Sequence, residues 1–286
     1  MGILNIPNEV FLSIADELPV KDLFHFLSTC SRLSSLLTPR LHKISQQDVC
    51  GYTALNWAAK RNQPSLAKLL LSSGSRVNPD NEADFPALHL AACHDSHDVI
   101  RVLVDHGATI DGRWQSGDSP AMTPLYMATL YGSAQAIRVL LELGAAIPRT
   151  CIDKKHAHSM LTHVPAEIGD VACMEAFIRH GFDFSIRGRG GRTVLHLASS
   201  AIVRSEEIMK CLLEQEGVRA IIDAQDSRGY TALHSAVCSG RWPEAEVRLL
   251  LRYGANARLK DKYGHTPADL AEERDMVGFA QRVFGA

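Results

Sequence analysis

The residues of this chain that are best suited to chemistry lie together in one short segment. They are Cys151, Asp153, His156, His158 and His163. Thiolate, imidazole and carboxylate groups are the ligands that proteins offer to zinc. The order Cys-x4-His-x-His matches none of the common zinc spacings, however. We therefore predict no metal site and no cofactor, and we regard this segment as the place where an enzyme site would have to lie.

The sequence offers no other pattern that is typical of catalysis. No serine lies in a nucleophile elbow, and no glycine pattern matches the dinucleotide-binding fingerprint. The glycine-rich segment 186–192 carries three arginines but lacks the Gly-Lys-Ser/Thr ending of a phosphate-binding loop. We expect a protein that is not an enzyme. The alternative is an enzyme whose site combines the three histidines with Tyr126 and Tyr131.

Composition is that of an ordinary globular protein with balanced charge. The chain has 30 lysine and arginine residues and 32 aspartate and glutamate residues, so its net charge is close to zero. This balance argues against nucleic acid or a membrane as a partner. Acidic residues interrupt the apolar start of the chain, which excludes a secretory signal there. The 7 cysteines form no Cys-x-x-Cys pair. We expect reduced thiols and a cytoplasmic or nuclear location.

One short pattern recurs along most of the chain. It is clearest at Thr193, Leu195, His196 and Ala198, and copies lie at residues 51–59, 86–92, 123–128, 193–198, 229–236 and 264–271. It resembles the ankyrin signature Thr-Pro-Leu-His-x-Ala, whose period is about 33 residues. The resemblance implies an all-α solenoid of helix pairs with short β-hairpin fingers. It also implies that the signature histidines, His89, His196 and His234, hydrogen-bond the backbone between repeats.

Between copies lies an apolar second helix that ends at a glycine. These glycines are expected to adopt a left-handed helix C-cap, and they are Gly74, Gly107, Gly144 and Gly254. The fourth copy, 160–166, is eroded, because Thr162 replaces the leucine and Pro165 replaces an alanine. The predicted repeats cover 48–80, 83–115, 119–152, 157–187, 188–225 and 226–260, with a C-terminal cap at 261–286.

The first 45 residues follow a different pattern. Pro7 suits a first helical turn, and Val10, Ile14 and Leu18 lie on one apolar stripe of that helix. Two more short helices are expected before Pro39. Three short helices bury too little apolar surface to fold alone. Their apolar faces therefore need a partner.

This segment resembles the F-box, a module that docks substrate receptors onto a Skp–cullin–F-box ubiquitin ligase. The landmarks follow the family's order, although Ile6-Pro7 replaces the usual opening Leu-Pro; the others are Leu18-Pro19, Lys21-Asp22-Leu23 and Cys30-Ser31-Arg32-Leu33. The resemblance implies that the Skp adaptor contacts Ile6, Pro7, Val10, Ile14, Leu18, Leu23 and Leu27. The alternative is an amphipathic cap that merely covers the first repeat.

The resemblance to ankyrin arrays implies that inner helices and fingers bind a target protein. Our candidates there are large, aromatic or cationic side chains: Trp57, Arg113, Trp114, Tyr126, Met127, Tyr131, Arg187 and Arg189. Tyr126 and Tyr131 are expected to form an aromatic patch. Three alternatives stay open: Trp57 packs on the F-box helices, the loop of Trp114 packs on itself, and the arginines belong to a solvated hairpin.

These observations predict a substrate receptor of a ubiquitin ligase. Its F-box would bind the Skp adaptor and thereby the cullin ligase core, and its repeats would hold an unknown target protein. By the resemblance, a RING subunit and a conjugating enzyme supply the chemistry. Two further alternatives remain, a scaffold without ubiquitin transfer and a microbial effector that borrows a host ligase.

Overall fold

The computed structural model describes residues 53–78, 85–115, 121–147, 165–166, 170–201, 206–239, 244–274 and 276–285. The predicted F-box, the cluster from Cys151 to His163 and most of the eroded fourth copy lie outside these residues. The chain divides into two compact units, Met1–Ala146 and Ile147–Ala286.

The described part of the first unit consists of three helix pairs, each with a short first helix and a longer second one. They are α1 (Ala54–Lys60), α2 (Pro64–Ser72), α3 (Ala87–Cys93), α4 (His97–Asp105), α5 (Pro124–Leu130) and α6 (Ala134–Glu142). The short helices α1, α3 and α5 pack on one another in series. The longer helices α2, α4 and α6 form a second layer beside them.

The second unit repeats this arrangement in its described residues. Its helices are α7 (Val171–Arg179), α8 (Val194–Ser200), α9 (Glu206–Leu213), α10 (Glu216–Arg219), α11 (Ala232–Cys238), α12 (Glu244–Arg252), α13 (Pro267–Glu273) and α14 (Val277–Phe284). The helices α8, α11 and α13 pack in series, and α7, α9, α12 and α14 form the other layer. The expected all-α fold of stacked helix pairs is confirmed.

Threonine starts the short helices because its hydroxyl oxygen caps the first turn. The Oγ1 atom of Thr53 accepts a hydrogen bond from the backbone N–H of Asn56 at 3.2 Å. Thr123 caps the N–H of Tyr126 in the same way, also at 3.2 Å. Pro86 has no hydroxyl, so α3 begins without a side-chain cap.

Alanines and glycines allow the close packing and sharp turns of the stack. Ala58, Ala59 and Ala128 are fully buried, so neighbouring helices approach closely where these side chains meet. The predicted left-handed caps are confirmed, because the closing glycines have φ values of 91° at Gly74, 89° at Gly107, 90° at Gly144 and 93° at Gly254.

Three hairpin turns of the second unit form what we call the fingertip edge, residues 187–192, 225–230 and 258–265. Each turn is closed by a backbone N–H that donates to the carbonyl four residues on: Gly188 to Arg192 at 2.7 Å, Asp226 to Tyr230 at 2.8 Å and Asp261 to His265 at 2.9 Å. In the first unit, an antiparallel bridge joins Trp114 to Met122. The expected fingers are therefore present as short turns.

Candidate functional site

Three signature histidines each connect their own repeat to the next one. The Nε2 atom of each donates to a backbone carbonyl just before the next short helix: His89 to Met122 at 2.9 Å, His196 to Tyr230 at 2.7 Å and His234 to His265 at 3.2 Å. These bonds confirm the role that the resemblance implied. Through these bonds the three rings hold neighbouring repeats together.

Asn56 takes the place of the histidine in the first repeat. Its Nδ2 atom donates to the carbonyl of Phe85 at 2.9 Å, which is the same bond to the backbone of the following repeat. Its backbone N–H is capped by Thr53. An amide thus replaces an imidazole without loss of the connection, because both side chains offer an N–H donor at similar reach.

Burial keeps these histidines neutral. It lowers the pKa of His89, which is 2% exposed, to about 4. Burial also lowers the pKa of His196 and of His234, although the carbonyl that each one donates to acts in the opposite direction. The three rings are therefore structural at neutral pH.

We predict that His89→Gln makes stability less sensitive to acid. The folded-state pKa of His89 lies below the ordinary value of about 6.5, so below that pH the unfolded chain binds the proton first. The free energy of unfolding should then fall by about 1.4 kcal/mol per pH unit toward pH 4 from this residue alone. Glutamine still offers an N–H to Met122 but does not titrate. Urea unfolding at a series of pH values measures the slope.

The matched control is His180→Gln, which removes an exposed histidine from the second unit. If His89→Gln leaves the slope between about pH 6 and pH 4.5 as steep as in the wild type, the assignment of the acid sensitivity to His89 is wrong.

The short helices of the first unit present several predicted target-contact residues at the surface. Tyr131, which caps α5, is 62% exposed, and Leu130 beside it is 44% exposed. Trp57 on α1 is half-buried, and the guanidinium of Arg61 lies 5.8 Å from its ring centroid. A cation over an aromatic face holds the ring in place. The role of Trp57 and Tyr131 in target binding stays a prediction.

Two other candidates on α5 differ in accessibility. Tyr126, at the histidine position of the signature, is half-buried. Met127 is only 4% exposed and belongs to the hydrophobic core. This burial disfavours Met127 as a contact, because a thioether buried between helices offers almost no surface to a partner, and its role in target binding stays a prediction. Spacing alone does not distinguish an inward from an outward position at the end of the signature.

The ring of Trp114 packs on its own unit. It meets the ring of Phe85 edge to face, with centroids 4.3 Å apart, and its backbone pairs with Met122. The neighbouring Arg113 is exposed. This geometry agrees with the alternative of a self-packed loop for Trp114, so Arg113 is the more accessible of the two predicted contacts.

The predicted cationic tip of the second unit is partly described. Arg187 is exposed, and its Nη1 atom donates to the carbonyl of Gln225 at 3.0 Å. The backbone of Arg189 begins the short 3-10 turn Arg189–Gly191, while its side chain lies outside the described part. Arg187 is therefore an exposed cation whose guanidinium is held in place by a hydrogen bond to the next finger.

Two aspartates that build the fingertip edge were not among the residues predicted from the sequence. The Oδ1 atom of Asp226 accepts the backbone N–H groups of Arg228 at 2.8 Å and Tyr230 at 2.9 Å. Asp261 repeats the arrangement in the next finger. The recurrence of Asp-x-x-Gly at 226–229 and 261–264 was the signal that could have found them.

No metal site emerges from the residues that the structure describes. They hold no cluster of three or more histidine, cysteine, aspartate or glutamate side chains suited to a metal ion. Burial raises the pKa of the Cys93 thiol to about 11, which disfavours the thiolate. The adaptor contacts predicted from Ile6 to Leu27 and the cluster from Cys151 to His163 lie outside the described part and stay predictions.

A search of the described helices finds none with the length and apolar character needed to cross a membrane.

Two family models match the chain. The model described as "Ankyrin repeats (3 copies)" matches residues 25–114, 55–151 and 201–281. The model described as "F-box domain" matches residues 3–43. The matches fall in both parts that the sequence pattern distinguished, and residues 152–200 lie between the matched ranges.

Similar proteins share the repeat part of the chain. Inversin of Canis lupus familiaris is 27% identical over 203 residues, 71% of this chain and 18% of that protein. "Ankyrin repeat and SOCS box protein 16" of Homo sapiens is 30% identical over 220 residues, 75% of this chain and 46% of that protein. The chain thus spans less than half the length of these relatives.

Two solved structures share its fold. The ankyrin repeat domain of human ASB11 matches with a TM-score of 0.60 and 23% identity, over 81% of this chain and 97% of that one. The ankyrin repeat domain of Bcl-3 also matches with a TM-score of 0.60, at 24% identity, over 81% of this chain and 99% of that one.

Proposed function

We propose, from the premise that this chain is an F-box and ankyrin-repeat protein, that it is the substrate-recognition subunit of a Skp–cullin–F-box ubiquitin ligase. The observation that carries the proposal is the F-box match over residues 3–43 directly before the repeats. F-box domains generally bind the Skp adaptor, and ankyrin repeats bind target proteins. Both are non-catalytic interaction modules, so the chain is a protein-interaction adaptor at the least.

The proposed mechanism is proximity. The F-box would fix the chain to the adaptor and the cullin core, while the repeats hold a target near the charged conjugating enzyme. Holding two reactants together raises the effective concentration of the target's lysines at the enzyme. No catalytic group of this chain is needed for that step.

Exposed side chains of the repeats support the target-binding half of the proposal. Leu130 and Tyr131 lie at the surface of the first unit rather than in its core, with 44% and 62% of their area exposed. Large exposed apolar side chains beside polar ones are common at protein interfaces. Arg61 and Lys60 at the end of α1 are exposed as well, so the short-helix face combines apolar and cationic groups.

A relative and the cysteines support the proposal in a less direct way. One human relative is named for ankyrin repeats and a SOCS box, so ankyrin repeats combined with another named module occur in a similar protein. Three cysteines among the described residues are free thiols: Cys93, Cys211 and Cys238. Free thiols suit a reducing compartment, and we propose the cytoplasm or the nucleus as the location.

Titration of the purified full chain with recombinant Skp adaptor tests the proposal. We expect a stable complex, and addition of the cullin core with its RING subunit and a ubiquitin-charged conjugating enzyme should then yield transfer of ubiquitin from that enzyme's thioester to lysines near the repeats. A well-folded chain that forms no complex with the adaptor would contradict the proposal. That outcome would leave the scaffold without ubiquitin transfer as the better description.

A further inference from the structure

The three turns of the fingertip edge are held in register by their backbones. The N–H of Ser227 donates to the carbonyl of Gly190 at 2.6 Å, and the N–H of Lys262 donates to the carbonyl of Arg228 at 3.0 Å. The side-chain amide of Gln225 also donates to the carbonyl of Lys260 at 2.8 Å. The side chains on this edge therefore project from a connected support rather than from three separate loops.

The acidic residues of the edge are bound to the backbone. Asp261 is 7% exposed, and its Oδ1 atom accepts the N–H groups of Tyr263 at 2.8 Å and His265 at 2.9 Å. Asp226 does the same for Arg228 and Tyr230. These carboxylates shape the turns, because the Oδ1 atom of each one accepts two backbone N–H groups of its own turn.

The basic residues of the edge lie at its surface. Five cations are exposed: Arg187, Arg228, Arg258, Lys260 and Lys262. Within the described residues none of them has a carboxylate oxygen within the 4.0 Å of a salt bridge. Tyr263, at the tip of the third finger, is 77% exposed. The edge thus combines outward positive charge with one accessible aromatic ring.

We infer that the fingertip edge of the second unit binds an acidic segment of the target polypeptide. Unneutralised arginine and lysine side chains on a fixed support match the carboxylates of aspartate and glutamate, and arginine can bind a carboxylate through two parallel hydrogen bonds. The exposed ring of Tyr263 offers a contact surface to an apolar side chain of the acidic target segment. The inference rests on the proposed function, because it specifies what the repeats recognise.

A polypeptide fits the edge better than a nucleic acid does. The whole chain has a formal net charge of −2, whereas proteins that bind nucleic acid through phosphates are usually strongly basic. The edge also offers a single exposed aromatic ring rather than the series of stacking rings that single strands require.

The test is binding of a fluorescein-labelled oligoglutamate to the full chain, measured by fluorescence polarisation at low salt. The variant Arg228→Glu with Lys262→Glu reverses two neighbouring cations whose backbones are bonded to each other. We expect it to bind the probe at least about tenfold more weakly than the wild type. Circular dichroism checks the fold; should the double variant unfold, Lys262→Glu alone repeats the measurement.

The matched control is Arg219→Glu with Arg252→Glu, which changes the net charge equally at exposed positions on α10 and α12. The control should retain binding within about twofold. Equal weakening by both variants, or no binding by the wild type, would overturn the inference. Tighter binding of a DNA duplex than of oligoglutamate, lost in the fingertip variant, would overturn it in favour of a nucleic-acid partner.

Adaptor binding separates this inference from the proposed function. The fingertip variant should bind the Skp adaptor as the wild type does, because the altered residues lie in the second unit and the F-box match ends at residue 43. Loss of oligoglutamate binding with adaptor binding intact supports both. If the wild type binds the adaptor normally but does not bind oligoglutamate, the inference is rejected and the proposed function is unaffected.

Discussion

Replacing Leu23 with aspartate is expected to weaken binding of the Skp adaptor by at least about 100-fold, a loss of about 3 kcal/mol. Leu23 belongs to the segment that the F-box model matches, and its side chain is predicted to contact the adaptor. A carboxylate at an apolar interface must give up its water without a partner, which costs several kcal/mol. Isothermal titration calorimetry with the purified full-length variant measures the effect.

A matched control is Leu130→Asp, because it makes the same substitution at a leucine of α5 that is 44% exposed. It should leave adaptor affinity within about twofold of the wild type, since an exposed position tolerates a charge. Near-wild-type affinity of the Leu23→Asp variant would show that Leu23 does not contact the adaptor.

The substitution Gly229→Ala is expected to destabilise the second unit by about 3 kcal/mol. Gly229 has a φ of 80°, which side chains rarely adopt. An added Cβ would also lie 2.7 Å from the backbone nitrogen of Lys262 and 3.0 Å from the carbonyl carbon of Asp261. Backbone atoms of the next finger cannot rotate away as a flexible side chain does. Urea unfolding of the full chain measures the loss.

Gly264→Ala separates conformational strain from this steric clash. Gly264 occupies the same position in the following finger and has a φ of 90°, yet an added Cβ would meet nothing within 4 Å. The control should therefore cost about 1 kcal/mol, the strain alone. Equal losses for the two variants would mean that the close approach between fingers contributes nothing.

The fold of the repeat part could be predicted from the sequence because its determinants are local and repeated. Threonine at 53 and 123 marks helix starts, and the closing glycines at 107 and 144 mark left-handed caps in the structure as in the pattern. A signature that recurs at a fixed period indicates the same local structure in each repeat. The position of each helix pair then follows from packing on its neighbours.

Accessibility of the candidate site residues could not be predicted in the same way. Tyr131 and Met127 both lie near the end of one signature, yet one is 62% and the other 4% exposed. Trp114 was predicted as a target contact, whereas Phe85 from the start of the repeat packs against its ring. Exposure depends on contacts between segments that are distant in sequence, and periodicity does not report those.

The accessible charges of the fingertip edge could not be predicted from the sequence either. Its lysines and arginines were visible in the sequence, and so were Asp226 and Asp261 beside them, but the sequence alone does not show which of these groups are accessible. Only the structure shows that these carboxylates bind the backbone N–H groups of their own turns. The segregation of positive and negative groups is a property of the folded turn.

Proximity labelling in cells tests most directly the central claim, that one chain joins a ligase to a target. The full chain, fused to a labelling enzyme, should label the Skp adaptor and cullin core together with a set of other proteins that includes the target. The Leu23→Asp variant should lose the ligase components and keep the others. If the wild type labels no Skp adaptor, or if the variant labels it equally well, the account of this protein as a substrate receptor is contradicted.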